Sequence, residues 1–375
     1  MATTYNTAEL RRQNRNRVFR YIYSSGRPVT KQDIAQALTL SLPTVGQNLK
    51  ELQEAELLEF QGTFDSTGGR KPRAIGVASN ARFSIGVYLG HQRIHLACIN
   101  IRAELICSQR IAHPLTNDEE YADFLAQAID SFIASNGIDT DRLLGVGIAV
   151  CGVPEEESGI ATLSPVQPVT ELDLKRIAGK IPYPVHFEND ANAGGLATWW
   201  SNPEKRNMVF LFLHRGIGGA MRIGGEPYLG TTGHGGEFGH MCIVPHGKDC
   251  GCGQKGCFEA YCSVNRLSED LGISIDQFFD ELQKNNEQYQ AIWDQYLNYL
   301  AIAINNIHMV LDCQIILGGV LSGYIGPYLY ELRDRISKIA TFETDGSFCT
   351  ISSYGYWSTC IGAALNFVSD FMQEI

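Results

Sequence analysis

EFGHMCIVPHGKDCGCGQKGCFE, residues Glu237 to Glu259, is the stretch on which the reading of this chain turns. Cys250, Cys252 and Cys257 fall within eight residues and are interleaved with Gly251, Gly253 and Gly256. Glycines permit the tight turns that let neighbouring thiolates converge on one point. His240, ten residues upstream, supplies an imidazole. One nitrogen and three sulfurs make a closed tetrahedral set, the donor pattern of a structural Zn²⁺ rather than of a catalytic site with an open position. The competing reading is that the three are buried free thiols, since cysteine is among the most buried residue types. A glycine-rich loop is a poor core former, so metal ligation is the expectation. Cys242, in the apolar run Met241–Val244, is expected in the core, and His246 is a bystander.

Glu237 and Glu259 bracket the cluster, and a closed metal site needs neither. Carboxylates held beside a locked loop suit bidentate hydrogen bonding to the vicinal hydroxyls of a sugar. Glu-x-Gly-His followed by Cys-x-Cys-Gly-x-x-Gly-Cys-x-Glu resembles the signature of the ROK family of repressors, open reading frames and sugar kinases. The resemblance implies that Asn189, Asp190, Glu237, His240 and Glu259 are sugar ligands. His240 would then serve twice, one ring nitrogen on zinc and the other toward a sugar hydroxyl.

With 375 residues, the chain is long enough for two or three domains with their own cores. No apolar run approaches the length of a membrane span, and no membrane partner is expected. Met1–Arg20 is polar and rich in arginine, without the apolar core of a secretory signal. Eleven cysteines with no export signal fit a reducing cytoplasm better than disulfides. Charge is unevenly divided: residues 1–80 carry a net of +4 and the remainder −15. A basic head on an acidic body suits nucleic acid at one end and a different partner at the other.

Residues 1–80 read as a winged helix-turn-helix. Asn14–Ser25 has a helical apolar stripe through Val18, Ile22 and Tyr23, ending at Gly26-Arg27-Pro28. Thr30 opens a short helix, Lys31–Leu38, with Asp33 completing a capping-box analogue. Thr39-Leu40 turns the chain, and Ser41 caps a third helix with Val45, Leu49 and Leu52 facing inward. Thr44, Gln47, Asn48 and Lys50 are read as its outward face, suited to base edges and phosphates, although any small helical domain has a solvated face. Leu57–Thr63 and Ala74–Val77 read as two strands whose connection carries Arg70, Lys71 and Arg73. Extended cations on a hairpin tip can follow a DNA backbone or enter a narrow minor groove.

From Phe83 onward, apolar strands alternate with helices, an α/β organisation with ligand loops at strand ends. The resemblance covers nearly all of residues 83–375 and implies a two-lobed, actin-like (ribonuclease H-like) sugar-kinase fold. Its lobes would span residues 81–200 and 201–375, with sugar between them and the zinc loop in the second. In the kinases of the family the first strand turns through Asp-x-Gly-Gly-Thr, whose Asp and small residues hold Mg²⁺ and phosphate. Here Tyr88 stands in the place of that Asp, and His91 and Gln92 replace the small residues. Arg215 replaces a usual Thr in the second phosphate segment, His214–Ala220. Losing the Mg²⁺ carboxylate removes charge stabilisation on which phosphoryl transfer depends. Asp190 matches the family's sugar-deprotonating base, although an Asp at a helix start is also a commonplace cap.

The resulting expectation is a sugar-responsive regulator, not an enzyme, that binds operator DNA as a homodimer or larger homo-oligomer. An unphosphorylated sugar or a sugar phosphate would be its effector. The alternative is an ATP-dependent sugar kinase, and a protein partner in place of the sugar is a third reading. Trp199 and Trp200 are expected to pack within a helix, and Glu155-Glu156-Glu157 to form a solvated loop. His91, His95 and His113 are read as ordinary core or surface histidines.

Overall fold

The computed structural model of the chain describes residues 7–63, 73–155, 157–342 and 345–375. The head begins with α1 (Thr7–Ser24), which starts before the expected Asn14 and buries Val18, Phe19 and Ile22. Next comes α2 (Lys31–Leu38), with the capping box formed: Thr30 Oγ1 accepts from the Asp33 N–H and the Asp33 carboxylate from the Thr30 N–H. Thr39, at φ 55°, ends it in the left-handed conformation and turns the chain. Ser41 then accepts from the Thr44 N–H at 3.2 Å and starts α3 (Leu42–Glu54). The strands β1 (Leu58–Thr63) and β2 (Arg73–Val77) pair antiparallel, and Val29 exchanges two 2.9 Å backbone hydrogen bonds with Ile75. Helix-turn-helix and wing are therefore stitched together. Arg70 and Lys71 lie outside the described residues.

The body is built from two sheets wound alike. The first contains β3 (Phe83–Leu89), β4 (Arg93–Asn100) and β5 (Leu105–Ala112). Helix α4 (Glu119–Ser135) then leads to β6 (Leu143–Val150). A small sheet of β7 (Gly152–Glu155), β8 (Ile160–Leu163) and β9 (Glu171–Asp173) and the short α5 (Leu174–Ala178) precede β10 (Val185–Asn189). The order of the large sheet is β5-β4-β3-β6-β10, with the first three strands antiparallel and the last three parallel. Helix α6 (Asp190–Trp200) crosses to the second lobe.

The second sheet repeats the pattern. It contains β11 (Met208–Leu213), β12 (Ile217–Ile223) and β13 (Glu226–Pro227), then, after α7 (Glu259–Cys262), α8 (Ile275–Gln283) and α9 (Glu287–Leu311), β14 (Gln314–Gly318). Beyond α10 (Leu329–Ile339) comes β15 (Cys349–Ile351), and α11 (Ser358–Glu374) follows. Its order is β13-β12-β11-β14-β15, again with an antiparallel hairpin on one side and parallel strands on the other. This duplicated topology is the two-lobed mixed α/β fold expected from the sequence. It sets a cleft between the lobes at strand ends, where α/β sheets place ligands. Among the described residues no helix is long and apolar enough to cross a membrane.

The head does not stand apart from the body. Val18, Phe19 and Ile22 of α1, with Val45 and Leu52 of α3, belong to one apolar core with Ile99 and Ile101 at the end of β4 and Ile361, Leu365 and Val368 of α11. Asn16 Nδ2 donates to the Met372 carbonyl at 2.7 Å, and Arg20 reaches the same oxygen. Leu365→Ala, which empties a fully buried site in α11, is expected to cost about 2–5 kcal/mol. It should also speed tryptic cleavage within α1, despite the distance in sequence. Unchanged cleavage there would contradict a shared core.

Candidate functional site: the interlobe cavity, its Cys/His loop and the head

A cavity of about 460 Å³ opens between the lobes, where β6, β10 and the β11–β12 turn converge. All five residues expected at a sugar site, Asn189, Asp190, Glu237, His240 and Glu259, line it. Their side chains are not equally available. Asn189 ends β10 and caps α6: its Oδ1 accepts from the Ala191 and Asn192 N–H groups, and its Nδ2 donates to the Gly152 carbonyl at 2.9 Å. Both ends of that amide are engaged by the fold. Glu259 keeps one oxygen on the Ile217 N–H at 2.8 Å, tying α7 to the start of β12. Glu237 is exposed on the loop ahead of His240.

Asp190 is the unusual group. It is 4% exposed, and while Oδ1 accepts the Ala191 N–H at 2.9 Å, Oδ2 is buried without a hydrogen-bond partner among the described residues. A buried acceptor with no donor is costly unless a ligand or water supplies one. Burial raises its pKa to about 7, helped by the Glu237 charge and opposed by the Ala191 N–H and the Cys151 thiol. Cys151 and Gln167 also line the cavity, and the sequence reading did not assign either to the site. Cys151 directly follows β6, a place where α/β folds put ligand loops, so position was the available signal. Burial keeps its thiol protonated, its pKa pushed well up.

Beside the cavity, which His240 lines, one ring nitrogen of His240 and the Cys250, Cys252 and Cys257 Sγ atoms lie within 4.8 Å of one another. His240 Nδ1 stands 3.8 Å from Cys250 Sγ, and Cys252 Sγ stands 3.8 Å from Cys257 Sγ. Turns at Gly253 and Gly256 fold the loop; Gly256, at φ 80°, is pressed so closely on the Val244 carbonyl that a Cβ would collide with it. This Cys/His cluster can hold a metal ion, and its geometry suits the set read from the spacing. Cys242 is not in the core as expected: it is exposed, because Met241–Val244 forms no strand but part of an irregular loop.

At the end of β3, aromatic side chains from both lobes interlock. Tyr88, 3% exposed at the end of β3, stands edge-on to Phe212 at 6.2 Å and to His214 at 5.9 Å. His95 lies behind it, 3.0 Å from the Tyr356 hydroxyl, and burial lowers its pKa to about 3. His214 is likewise held neutral by burial, with a pKa of about 4. Arg215 forms a two-point ion pair with Glu269. His95 is thus a core histidine, as expected. Trp199 and Trp200 pack away from the cavity.

In the head, Gln47 and Lys50 are exposed on one face of α3, with Glu51 and Glu54 as their helical neighbours. Thr44 is half-buried and shares its hydroxyl with Ser41 at 2.8 Å. The outward placement of Asn48 is corrected. It is 5% exposed and donates to the Thr44 carbonyl at 2.8 Å, because Val45, Asn48 and Leu52 form the buried stripe while Leu49 is half-exposed. Arg73 is exposed at the base of the wing, 5.0 Å above the Phe60 ring.

A winged helix-turn-helix joined to a two-lobed, cleft-bearing α/β body defines the class. The ROK family model matches residues 84–368, and the chain belongs to the ROK family. It is 28% identical over 339 residues to a protein of Caldicellulosiruptor sp. named a putative xylose repressor, covering 84% of this chain and 85% of that one. It is also 28% identical over 267 residues to an N-acetyl-D-glucosamine kinase of Haemophilus influenzae, covering 66% of this chain and 86% of the kinase. Among solved structures, a ROK family transcriptional regulator homologous to the E. coli MLC protein superposes with a TM-score of 0.75 at 21% identity, covering 97% of each chain.

The raised pKa of Asp190 fixes the sign of a pH effect. The folded state holds its proton up to about pH 7, whereas an unfolded Asp loses it near 3.8. This group therefore destabilises the fold progressively as pH rises from about 4 through 7. Asp190→Asn should raise Tm at pH 8 and raise it much less at pH 5, measured by thermal unfolding of the sugar-free protein. An equal change at both pH values would contradict the buried, proton-holding carboxyl.

Proposed function

We propose that this chain is a sugar-responsive transcriptional repressor, with a DNA-reading head over residues 1–80 and a sugar cleft between lobes 81–200 and 201–375. The carrying observation is that the head shares one apolar core with a body whose cleft presents Asp190, Glu237 and Glu259, while Tyr88, which the resemblance sets in the place of the kinases' Asp, is buried behind the cleft residues Phe212 and His214. Three carboxyl groups, one of them the buried Asp190 with an unsatisfied Oδ2, suit a ligand rich in hydroxyls. His240, Glu237, Asp190 and Glu259 are its direct contacts in this reading, with Asn189 holding the end of α6 in place. Resemblance to proteins named xylose repressors makes D-xylose the first sugar to try. Operator DNA is read by Gln47 and Lys50, with Thr44, Arg70, Lys71 and Arg73 at the backbone, and the protein acts as a homodimer or larger homo-oligomer. The cleft binds its sugar without phosphorylating it.

Zn²⁺ is the ion proposed for His240, Cys250, Cys252 and Cys257, since one imidazole and three thiols saturate a tetrahedral ion. When bound, it supplies structural cross-linking of the loop. It would also orient the His240 ring toward the cavity. Cys257→Ser is expected to lower bound zinc below one per chain and to weaken sugar binding by about tenfold or more, read by metal analysis and calorimetry. Full zinc content in that variant would contradict the ligand set.

A second reading, an ATP-dependent sugar kinase, draws on Asp190 itself, a buried carboxyl with a pKa of about 7 and thus poised to take a proton. One comparison separates the two. Operator duplexes selected from a random pool are titrated with protein, with and without D-xylose, D-glucose and N-acetyl-D-glucosamine, and ADP release is followed with Mg-ATP. Sugar-weakened operator binding without ADP release is expected; sugar-dependent ADP release would overturn the repressor reading in favour of the kinase.

A further inference from the structure

Helix α6 joins the cavity to the head. It starts in the cavity at Asp190 and ends at Trp200, a span of about 16 Å for its 11 residues. At the far end Trp200 Nε1 donates to the Tyr23 hydroxyl at 3.1 Å, and that hydroxyl donates onward to the Ile101 carbonyl at 2.9 Å. Tyr23 belongs to α1. The rings of Tyr23 and Trp200 meet edge to face at 6.3 Å. From the other side, the Arg102 guanidinium lies 5.1 Å from the centre of the Tyr23 ring and donates to the Tyr23 carbonyl at 3.1 Å. The phenol is thus held by a donor from the end of α6, an acceptor from the body and a cation over its face.

Two further contacts limit how α6 can respond. Gly362 of α11 sits so close to the Ala193 carbonyl in α6 that a Cβ would collide, so the two helices cannot slide independently at that crossing. The last turn of α11 in turn receives Asn16 and Arg20 of α1 on the Met372 carbonyl. Both helices therefore end on α1, whose inner face packs with Val45 and Leu52 of α3. Packed interfaces of this kind shift between discrete arrangements rather than deform smoothly.

We propose that Trp200 and Tyr23 are positioning residues that carry the state of the sugar cavity to the DNA-reading head, with α6 as the rigid strut between them. This rests on the repressor reading above. Neither residue touches the cavity or lies on α3, so a purely structural role predicts altered stability with an unaltered sugar response. A coupling role predicts a changed response.

The test uses the full chain and the selected operator, with whichever of D-xylose, D-glucose and N-acetyl-D-glucosamine binds the wild type. Trp200→Phe keeps an aromatic ring and removes the indole donor; Tyr23→Phe keeps the ring and removes the hydroxyl. The ratio of operator Kd with and without sugar is expected to be about tenfold or more in wild type and to fall by at least about threefold in each variant. Sugar-free operator binding and calorimetric sugar affinity should stay within about two-fold of wild type. Hydrogen exchange of α1 amides should respond to sugar in wild type and not in the variants. A wild-type ratio in both variants overturns the proposal and leaves the repressor reading standing. Loss of sugar-free operator binding in both also overturns it, because the pair would then only prop up the head. If no sugar releases operator from the wild type, the repressor reading itself fails and this coupling with it.

Discussion

The buried carboxyl of Asp190 is the constraint around which the cavity is arranged. A carboxylate removed from water must find donors or keep its proton, and this one has a single backbone N–H on Oδ1 and the neutral Cys151 thiol beside it. The fold tolerates the arrangement because β10 and α6 fix the Asn189–Asp190 corner through the Asn189 cap. In the proposed reading a hydroxyl-bearing ligand in the cavity would meet that fixed corner and donate to Asp190 Oδ2. Two sheets of the same winding place their strand ends around that corner, and Glu237, His240 and Glu259 of the Cys/His loop region line the same cavity.

The same corner would serve a kinase base, so the difference lies at the other end of the cleft. Tyr88 stands where the resemblance to the family's kinases implies a metal-holding carboxylate, and Phe212 and His214 pack against its ring from the opposite lobe. His95 and His214 are held neutral by burial, and Arg215 is paired to Glu269.

Much of this was legible in the sequence because its signals are local. The cysteine ligands and His240 fall within eighteen residues, so spacing alone brings them together. Caps such as Thr30 with Asp33, and Ser41, announce their helices in a single turn. Asn48 was misplaced because helical phase is soft at one residue: choosing Leu49 as the inward position rotates the stripe, and only packing against α1 decides between them. Cys242 misled for a related reason, since an apolar run of four residues says little about burial inside an irregular loop. The junction of Tyr23 with Trp200 spans 177 residues of sequence and has no local signature at all.

Operator release and sugar binding are two views of one coupling free energy, and linkage makes them answer to the same number. The most direct test is calorimetric: the affinity of the sugar for the DNA-free protein set against its affinity for the operator-bound protein. The account predicts weaker sugar binding to the operator complex, by the same factor by which sugar weakens operator binding. Equal sugar affinities in the two states would contradict it.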